Sequence, residues 1–315
     1  MADRVLVTGA AGFIGGRVAE DLERHGWDVT AIDLRAAPGG RTLCGDYRGP
    51  ELHDQVRSGR FSAVVHQAAV SDTLQMDRAL LDAMNTSGAL ALAESALVGG
   101  ATFLYASSFS VYGRIRHDSP VAEDDVHDDA LCSGPLNPYA ESKLALDRAM
   151  IDMTDRGLLW AGLRYTNVFA AGERLQGRAS SIISQILTKA ARGDRIDLFA
   201  DTMRASRDYV PAATVCAAVR GLLDSDFTPG VYNLGSGHAT SFGDLLGWCA
   251  EFGGGRPADV RLVDNPIPDR YQYWTCADVS KLRAALPGWA GADIDVVRGE
   301  AEAVFDHARR ALAAE

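Results

Sequence analysis

The sequence predicts an α/β protein: a doubly wound parallel sheet followed by a smaller C-terminal α/β domain. Three observations carry that prediction. The chain opens on a strand, a glycine loop and a helix. Short apolar runs then alternate with amphipathic stretches as far as Tyr165. Beyond that point the alternation becomes irregular, so the expected boundary puts residues 1–166 in the first domain, with 209–235 returning to it, and residues 167–315 mainly in the second.

Val5-Leu6-Val7 is the short apolar run of a strand buried on both faces. Gly9, Gly12 and Gly15 follow in the stretch Thr8-Gly9-Ala10-Ala11-Gly12-Phe13-Ile14-Gly15. Glycines there allow a tight turn and let the backbone approach a pyrophosphate at a helix N-terminus, where free N–H groups favour anions. The context fits dinucleotide binding, because Val18 to Arg24 reads as an amphipathic helix and Trp27 to Asp33 as a second strand. Asp33 then stands about 20 residues on, where a carboxylate accepts from a ribose 2′-hydroxyl. Its charge favours NAD, whereas Arg35 and Arg41 would suit the 2′-phosphate of NADP. Gly45-Asp46-Tyr47 closes a third short strand and sets Asp46 near an adenine amine.

Phe61 to Val65 is the next strand, ending in His66-Gln67-Ala68-Ala69, whose small residues leave room for a cofactor; His66 itself reads as a packed histidine. Ser71 and Thr73 follow at a carboxyl edge of the sheet, where open α/β sheets bind ligands. Residues 78–98 read as one long helix, on which Asn85 needs partners for its amide. Ala101 to Ala106 runs into Ser107-Ser108-Phe109-Ser110, and residues 114–135 form an acidic loop. Pro138 opens a helix with Asn137 as its cap. On that helix Tyr139 and Lys143 share a face, so a phenol and an ammonium address one volume. A nearby cation favours phenolate, which would suit Tyr139 as a general base. Leu158 to Tyr165 is a further strand, and Arg207 and Tyr271 in the last third are candidate anchors for a ligand phosphate and base.

Composition narrows the classes. A net charge of −11 without a basic stripe argues against nucleic acid. The five cysteines are scattered and form no Cys-x-x-Cys pair, so neither a disulfide framework nor a metal site is expected. No run approaches the ~18 apolar residues of a membrane span. With no basic leader before Val5, a cytoplasmic protein is expected. The apolar faces of helices 78–98 and 139–156 suggest a homo-oligomer.

Taken together and in order, the glycine loop, Asp33, His66-Gln67-Ala68-Ala69, Asn85, Ser107-Ser108, Tyr139/Lys143, Arg164-Tyr165-Thr166-Asn167-Val168 and Arg207-Asp208-Tyr209-Val210 resemble the extended short-chain dehydrogenase/reductases. That family has a Rossmann domain and contains nucleotide-sugar epimerases, dehydratases and reductases. Phe103 to Ser108, Pro135 to Tyr139, Tyr232 to Gly237 and Ile267 to Gln272 look most like its ADP-glycero-manno-heptose 6-epimerase branch. The resemblance implies a nucleotide-diphosphate sugar as substrate, transiently oxidised with NAD, or alternatively NADP, and re-reduced on the opposite face. It implies Tyr139 as base, Lys143 lowering its pKa and holding the nicotinamide ribose, and Ser108 on the reacting hydroxyl. Gly9, Gly12, Phe13, Ile14, Gly15, Asp33, Leu34, Arg35, Asp46, Tyr47, Gln67, Ala68, Ala69, Asn85 and Val168 would hold the cofactor with Tyr139 and Lys143. Ser71, Thr73, Ser108, Asn167, Arg178, Gln185, Phe199, Arg207 and Tyr271 would line the sugar nucleotide.

Two departures stand out. Gln176 occupies about the place of a second acid/base lysine, and glutamine exchanges no proton at neutral pH. Pro211-Ala212-Ala213 replaces a more polar stretch. A UDP-sugar 4-epimerase, a reductase and a non-catalytic dinucleotide sensor therefore stay open. A dehydratase is disfavoured, because Phe109-Ser110 stands where an Asp-Glu pair would serve elimination.

Overall fold

A computed structural model of the chain describes residues 3–36, 42–173, 180–203 and 205–314. The strands of the main sheet are β1 (Arg4–Thr8), β2 (Asp28–Asp33), β3 (Leu43–Cys44), β4 (Ala63–His66), β5 (Thr102–Ser108) and β6 (Trp160–Tyr165). Beyond β6 come β7 (Asn167–Phe169), β8 (Ile196–Phe199), β9 (Ser206–Pro211), β10 (Gly230–Leu234), β11 (Ala239–Ser241) and β12 (Val260–Val263). The longer helices are α1 (Phe13–Arg24), α2 (Pro50–Arg57), α3 (Arg78–Leu81), α4 (Ser87–Gly99), α5 (Pro138–Asp155), α6 (Ile182–Arg192), α7 (Ala212–Leu223), α8 (Phe242–Phe252), α9 (Ser280–Ala285) and α10 (Ile294–Ala314). None of the described helices is long and apolar enough to cross a membrane.

The central sheet runs β3-β2-β1-β4-β5-β6-β10, and every pairing in it is parallel. Strand order therefore reverses at β1, between β2 and β4. In open α/β sheets the crevice at such a switch point, outside the carboxyl ends of the strands, is where ligands bind. Val5, Leu6 and Val7 are fully buried because helices cover both faces of the sheet. One cluster packs α1 and α7 on one face, and a second packs α2, α4 and α5 on the other. β7, β9 and β11 form a separate three-stranded sheet, and β8 pairs with β12. β7, β8 and β9, with α6, α8 and α10, share a further apolar core, against which Val260 of β12 packs.

The single helix expected over 78–98 is instead α3, a π turn at Asp82–Thr86, and α4. The extra residue in that turn follows from Asn85. Its amide bridges the Val70 N–H and carbonyl at 2.8 and 2.9 Å and donates to Ser142 Oγ at 3.1 Å. Three bonds for one buried amide favour the wider turn over straight helix.

Candidate active site

The glycine loop is shaped by contacts that exclude side chains. Gly9 has φ of 70°, and a Cβ there would lie 2.5 Å from the Ala68 amide nitrogen. A Cβ on Gly15 would collide with the Gly9 carbonyl oxygen. Gly12 caps α1 without a side chain, so the N–H groups of the first turn, at Phe13, Ile14 and Gly15, have no acceptor inside the helix. Asp33 closes the crevice: one carboxylate oxygen accepts from the Ala11 N–H at 3.1 Å, the other from the Arg35 N–H at 3.0 Å. A cradle that only glycine fits, with helical N–H groups and a fixed carboxylate facing it, suits a dinucleotide. Two buried polar atoms on the same crevice, Gln67 Nε2 and Ser107 Oγ, have no partner among the described residues, which also fits a polar ligand.

Further along the cavity, β5 and α5 bring three groups together. Asn137 caps α5 by accepting from the Ala140 N–H at 2.9 Å, and Pro138 fills the first turn. Helical spacing then sets Tyr139 and Lys143 over the end of β5. Tyr139 is hydrogen-bonded to Ser108, and Ser108 Oγ lies 2.8 Å from Ser110 Oγ. Lys143 is buried, donates to the Ala106 carbonyl at 2.8 Å and sits 5.9 Å from the centre of the Tyr139 ring.

The electrostatics of the site are set first by burial. Burial raises the Tyr139 pKa above its ordinary 10.0, and the Ser108 hydrogen bond pulls the other way. In the free protein desolvation of the phenolate dominates, and the nearby Lys143 ammonium is directed at the Ala106 carbonyl. Burial also draws Lys143 down to about 8, against the pull of the Asp147 carboxylate. His66 is packed as expected: burial, then the Lys143 charge, push it to about 3, and its Nδ1 shares a 2.8 Å hydrogen bond with Thr8.

The cavity has a volume of about 1020 Å³ and joins the glycine loop to the second sheet. Gly9, Gly12, Phe13, Ile14, Gly15, Asp33, Leu34, Arg35, Tyr47, Gln67, Ala68, Ala69 and Val168 all line it. So do Ser71, Thr73, Ser108, Tyr139, Lys143, Asn167, Phe199, Arg207 and Tyr271. At its far end the buried Arg207 guanidinium lies 4.9 Å from the centre of the Tyr271 ring, which meets Phe199 edge-on at 6.0 Å.

Three expected residues are elsewhere. Asp46 is engaged by Arg48, which holds its carboxyl below the usual range, and it does not line the cavity. Asn85 acts through the Val70 backbone instead of facing the cavity. Gln185 donates to the Ser180 carbonyl at 2.9 Å, also off the lining. Arg41, Gln176 and Arg178 lie outside the described residues. Tyr47 reaches the cavity with its ring while its hydroxyl donates to the Met84 carbonyl.

Glu173 was missed by sequence reading. It lines the cavity and accepts from the Ser181 N–H at 2.7 Å and from the Ser181 and Ser184 hydroxyls at 2.6 Å. The signal available was Ser180-Ser181 before the apolar Ile182-Ile183, a helix start that favours a nearby carboxylate.

Comparison with known proteins agrees with this arrangement. A profile described as the NAD dependent epimerase/dehydratase family matches residues 5–235, well over half the chain. An ADP-L-glycero-D-manno-heptose-6-epimerase from Thiobacillus denitrificans is 30% identical, over 96% of this chain and 97% of that one. Among solved structures, MoeE5 in complex with UDP-glucose and NAD is 28% identical with a TM-score of 0.82, covering 99% of this chain and 100% of its own. The UDP-glucose 4-epimerase of Thermus thermophilus with NAD is 28% identical with a TM-score of 0.80, covering 97% and 99%. With its seven-stranded sheet, its glycine-only crevice and this match along most of its length, the chain belongs to the NAD dependent epimerase/dehydratase family.

Proposed function

We propose that the protein is a nucleotide-sugar epimerase that retains NAD and acts on an ADP-glycero-manno-heptose-like substrate. The observation that carries this reading is one cavity holding Ser108, Tyr139 and Lys143 between a glycine-only crevice and the Arg207–Tyr271 shelf. Gly9, Gly12 and Gly15, with the N–H groups of the first turn of α1, hold the pyrophosphate. Asp33 binds the adenosine ribose, and its negative charge disfavours the 2′-phosphate of NADP. NAD, when bound, supplies a hydride acceptor for the carbinol carbon and returns that hydride to the other face.

The protein's part is binding, aim and proton handling. Ser108 Oγ hydrogen-bonds the reacting sugar oxygen, and Tyr139 Oη takes its proton and later gives it back. Because burial disfavours the phenolate, the base needs cations beside it, and Lys143 is the protein's own. Arg207 pairs with the diphosphate, its guanidinium held over the Tyr271 ring so that little freedom is lost on binding. The ketone must turn over in the cavity for the opposite face to be reduced.

A UDP-sugar 4-epimerase is the second reading, favoured by the likeness at 28% identity to the Thermus UDP-glucose 4-epimerase and to MoeE5, which is solved with UDP-glucose. Proton NMR separates the two. Purified protein with catalytic NAD is incubated with ADP-D-glycero-D-manno-heptose in one tube and a UDP-hexose in another. Inversion at C6 of the heptose supports the first reading, and inversion at C4 of the hexose the second. No change in either tube, with turnover of a keto-sugar only on stoichiometric NADH, would make it a reductase. The exposed Val98 and Ile151 on α4 and α5 are read as the contact with a second copy. Sedimentation of the native chain against Ile151→Glu tests this, and a monomer in both would remove it.

A further inference from the structure

Beneath the cavity floor, α5 and the sheet share buried polar groups that the reaction does not touch. Asp147 lies one helical turn after Lys143, and each is only 3% exposed. Its carboxylate accepts from the Tyr105 hydroxyl at 2.9 Å and from Arg164 Nε at 2.8 Å. Arg164 in turn donates to the Tyr112 hydroxyl and the Glu123 carbonyl, both at 2.8 Å. Apolar replacements of such buried pairs are often as stable or more so, which makes stability alone a weak account of this one. Its position suggests another. Lys143 holds the Ala106 carbonyl while Asp147 holds the Tyr105 side chain, so consecutive residues of β5 fix both ends of the turn.

Among the described residues, the other titratable groups packed around Lys143 offer it no anion. On β4, His66 is neutral, pushed to about 3. On β5, Tyr105 is raised well above the ordinary phenol range, and on β6 Tyr165 is raised too, both by burial. Tyr139 on α5 is likewise kept a phenol by burial. Arg164 on β6 is a cation held on Asp147. Asp147 is the one negative charge of the set.

We propose that Asp147, clamped by Tyr105 and Arg164, is a positioning residue that keeps the buried Lys143 ammonium protonated at neutral pH and fixed at the cavity edge. The consequence for turnover rests on the epimerase reading, but the charge state of Lys143 does not. Burial alone would carry the ammonium further down than the value of about 8 that it reaches with Asp147 in place.

The chain has three lysines, Lys143, Lys189 and Lys281, so protein labelled with 13C at the lysine ε-carbons gives three resonances. Lys189→Arg and Lys281→Arg assign them. Titrated in the free protein, Lys143 is expected to change near pH 8. Asp147→Asn lowers that midpoint by about 1 unit or more, while Asp147→Glu, which keeps the charge, restores it. Asp147→Asn combined with Arg164→Gln leaves no unpaired charge and still lowers the midpoint, by less than the single change, because a cation is removed with the anion. It serves if the single change does not fold. With a working substrate, the loss of turnover at high pH moves down with the midpoint. An unchanged or raised Lys143 midpoint in either Asn variant, with Lys189 and Lys281 unmoved, overturns the proposal. Failure of all turnover with the expected midpoints would instead count against the epimerase reading alone.

Discussion

Lys143→Met should change how stability depends on pH by a predictable amount. The amine titrates ordinarily at 10.5 and in the folded protein at about 8. That displacement corresponds to about 3 kcal/mol. The sign follows from which state holds the proton more tightly. Between the two values the unfolded chain binds it and the folded chain does not, so native stability rises with pH across that window. Below about pH 8 folding carries the full penalty of a buried cation, and above about pH 10.5 it carries none. The methionine variant has no such penalty at any pH. Urea unfolding of both proteins, repeated from about pH 7 to about pH 11, gives their stability difference at each pH. That difference should shift by about 3 kcal/mol in favour of the native chain as pH rises. Other groups titrating in the window are common to both proteins and cancel. The lost bond to Ala106 adds a constant offset of about 1 kcal/mol and leaves the slope alone. A difference that does not vary with pH, or that varies with the opposite sign, would refute the buried-cation account of Lys143.

Other changes test other parts of the cavity. Tyr139→Phe should lower turnover by roughly 10²-fold or more with little change in sugar-nucleotide binding, read by steady-state kinetics and calorimetry. Gly15→Ala places a methyl against the Gly9 carbonyl oxygen, so NAD binding measured by fluorescence titration should fall sharply; unaltered affinity would contradict the reading of this loop. Arg207→Ala should raise KM far more than it lowers kcat, and Arg207→Lys should not restore it, because an ammonium lacks the planar fork that pairs with a phosphate in two places.

Much of this cavity was legible in the sequence because it depends on local geometry. Glycine spacing after a buried strand dictates the crevice, and Asn137-Pro138 dictates where the helix bearing Tyr139 and Lys143 begins. What was not legible depends on partners distant in the chain. The π turn at Asn85 exists because Val70 and Ser142 converge on one amide. Asp46 reads as a ligand in sequence, yet Arg48 is close enough to take it. The effect of Lys143 on Tyr139 was read from helical spacing alone. Spacing does not reveal that the ammonium is directed at Ala106 or how far burial outweighs it. The Asp147–Arg164 pair joins a helix to a strand, and no periodicity announces such a contact.

The central claim is that the sugar is oxidised and re-reduced by a cofactor the protein keeps. The direct measurement is to run the NMR incubation in D2O with catalytic NAD and follow the inverted carbon. Transient oxidation returns the same hydrogen to that carbon, so the epimer should form with no deuterium there. Deuterium at the inverted carbon would mean proton abstraction from carbon, and would contradict the account.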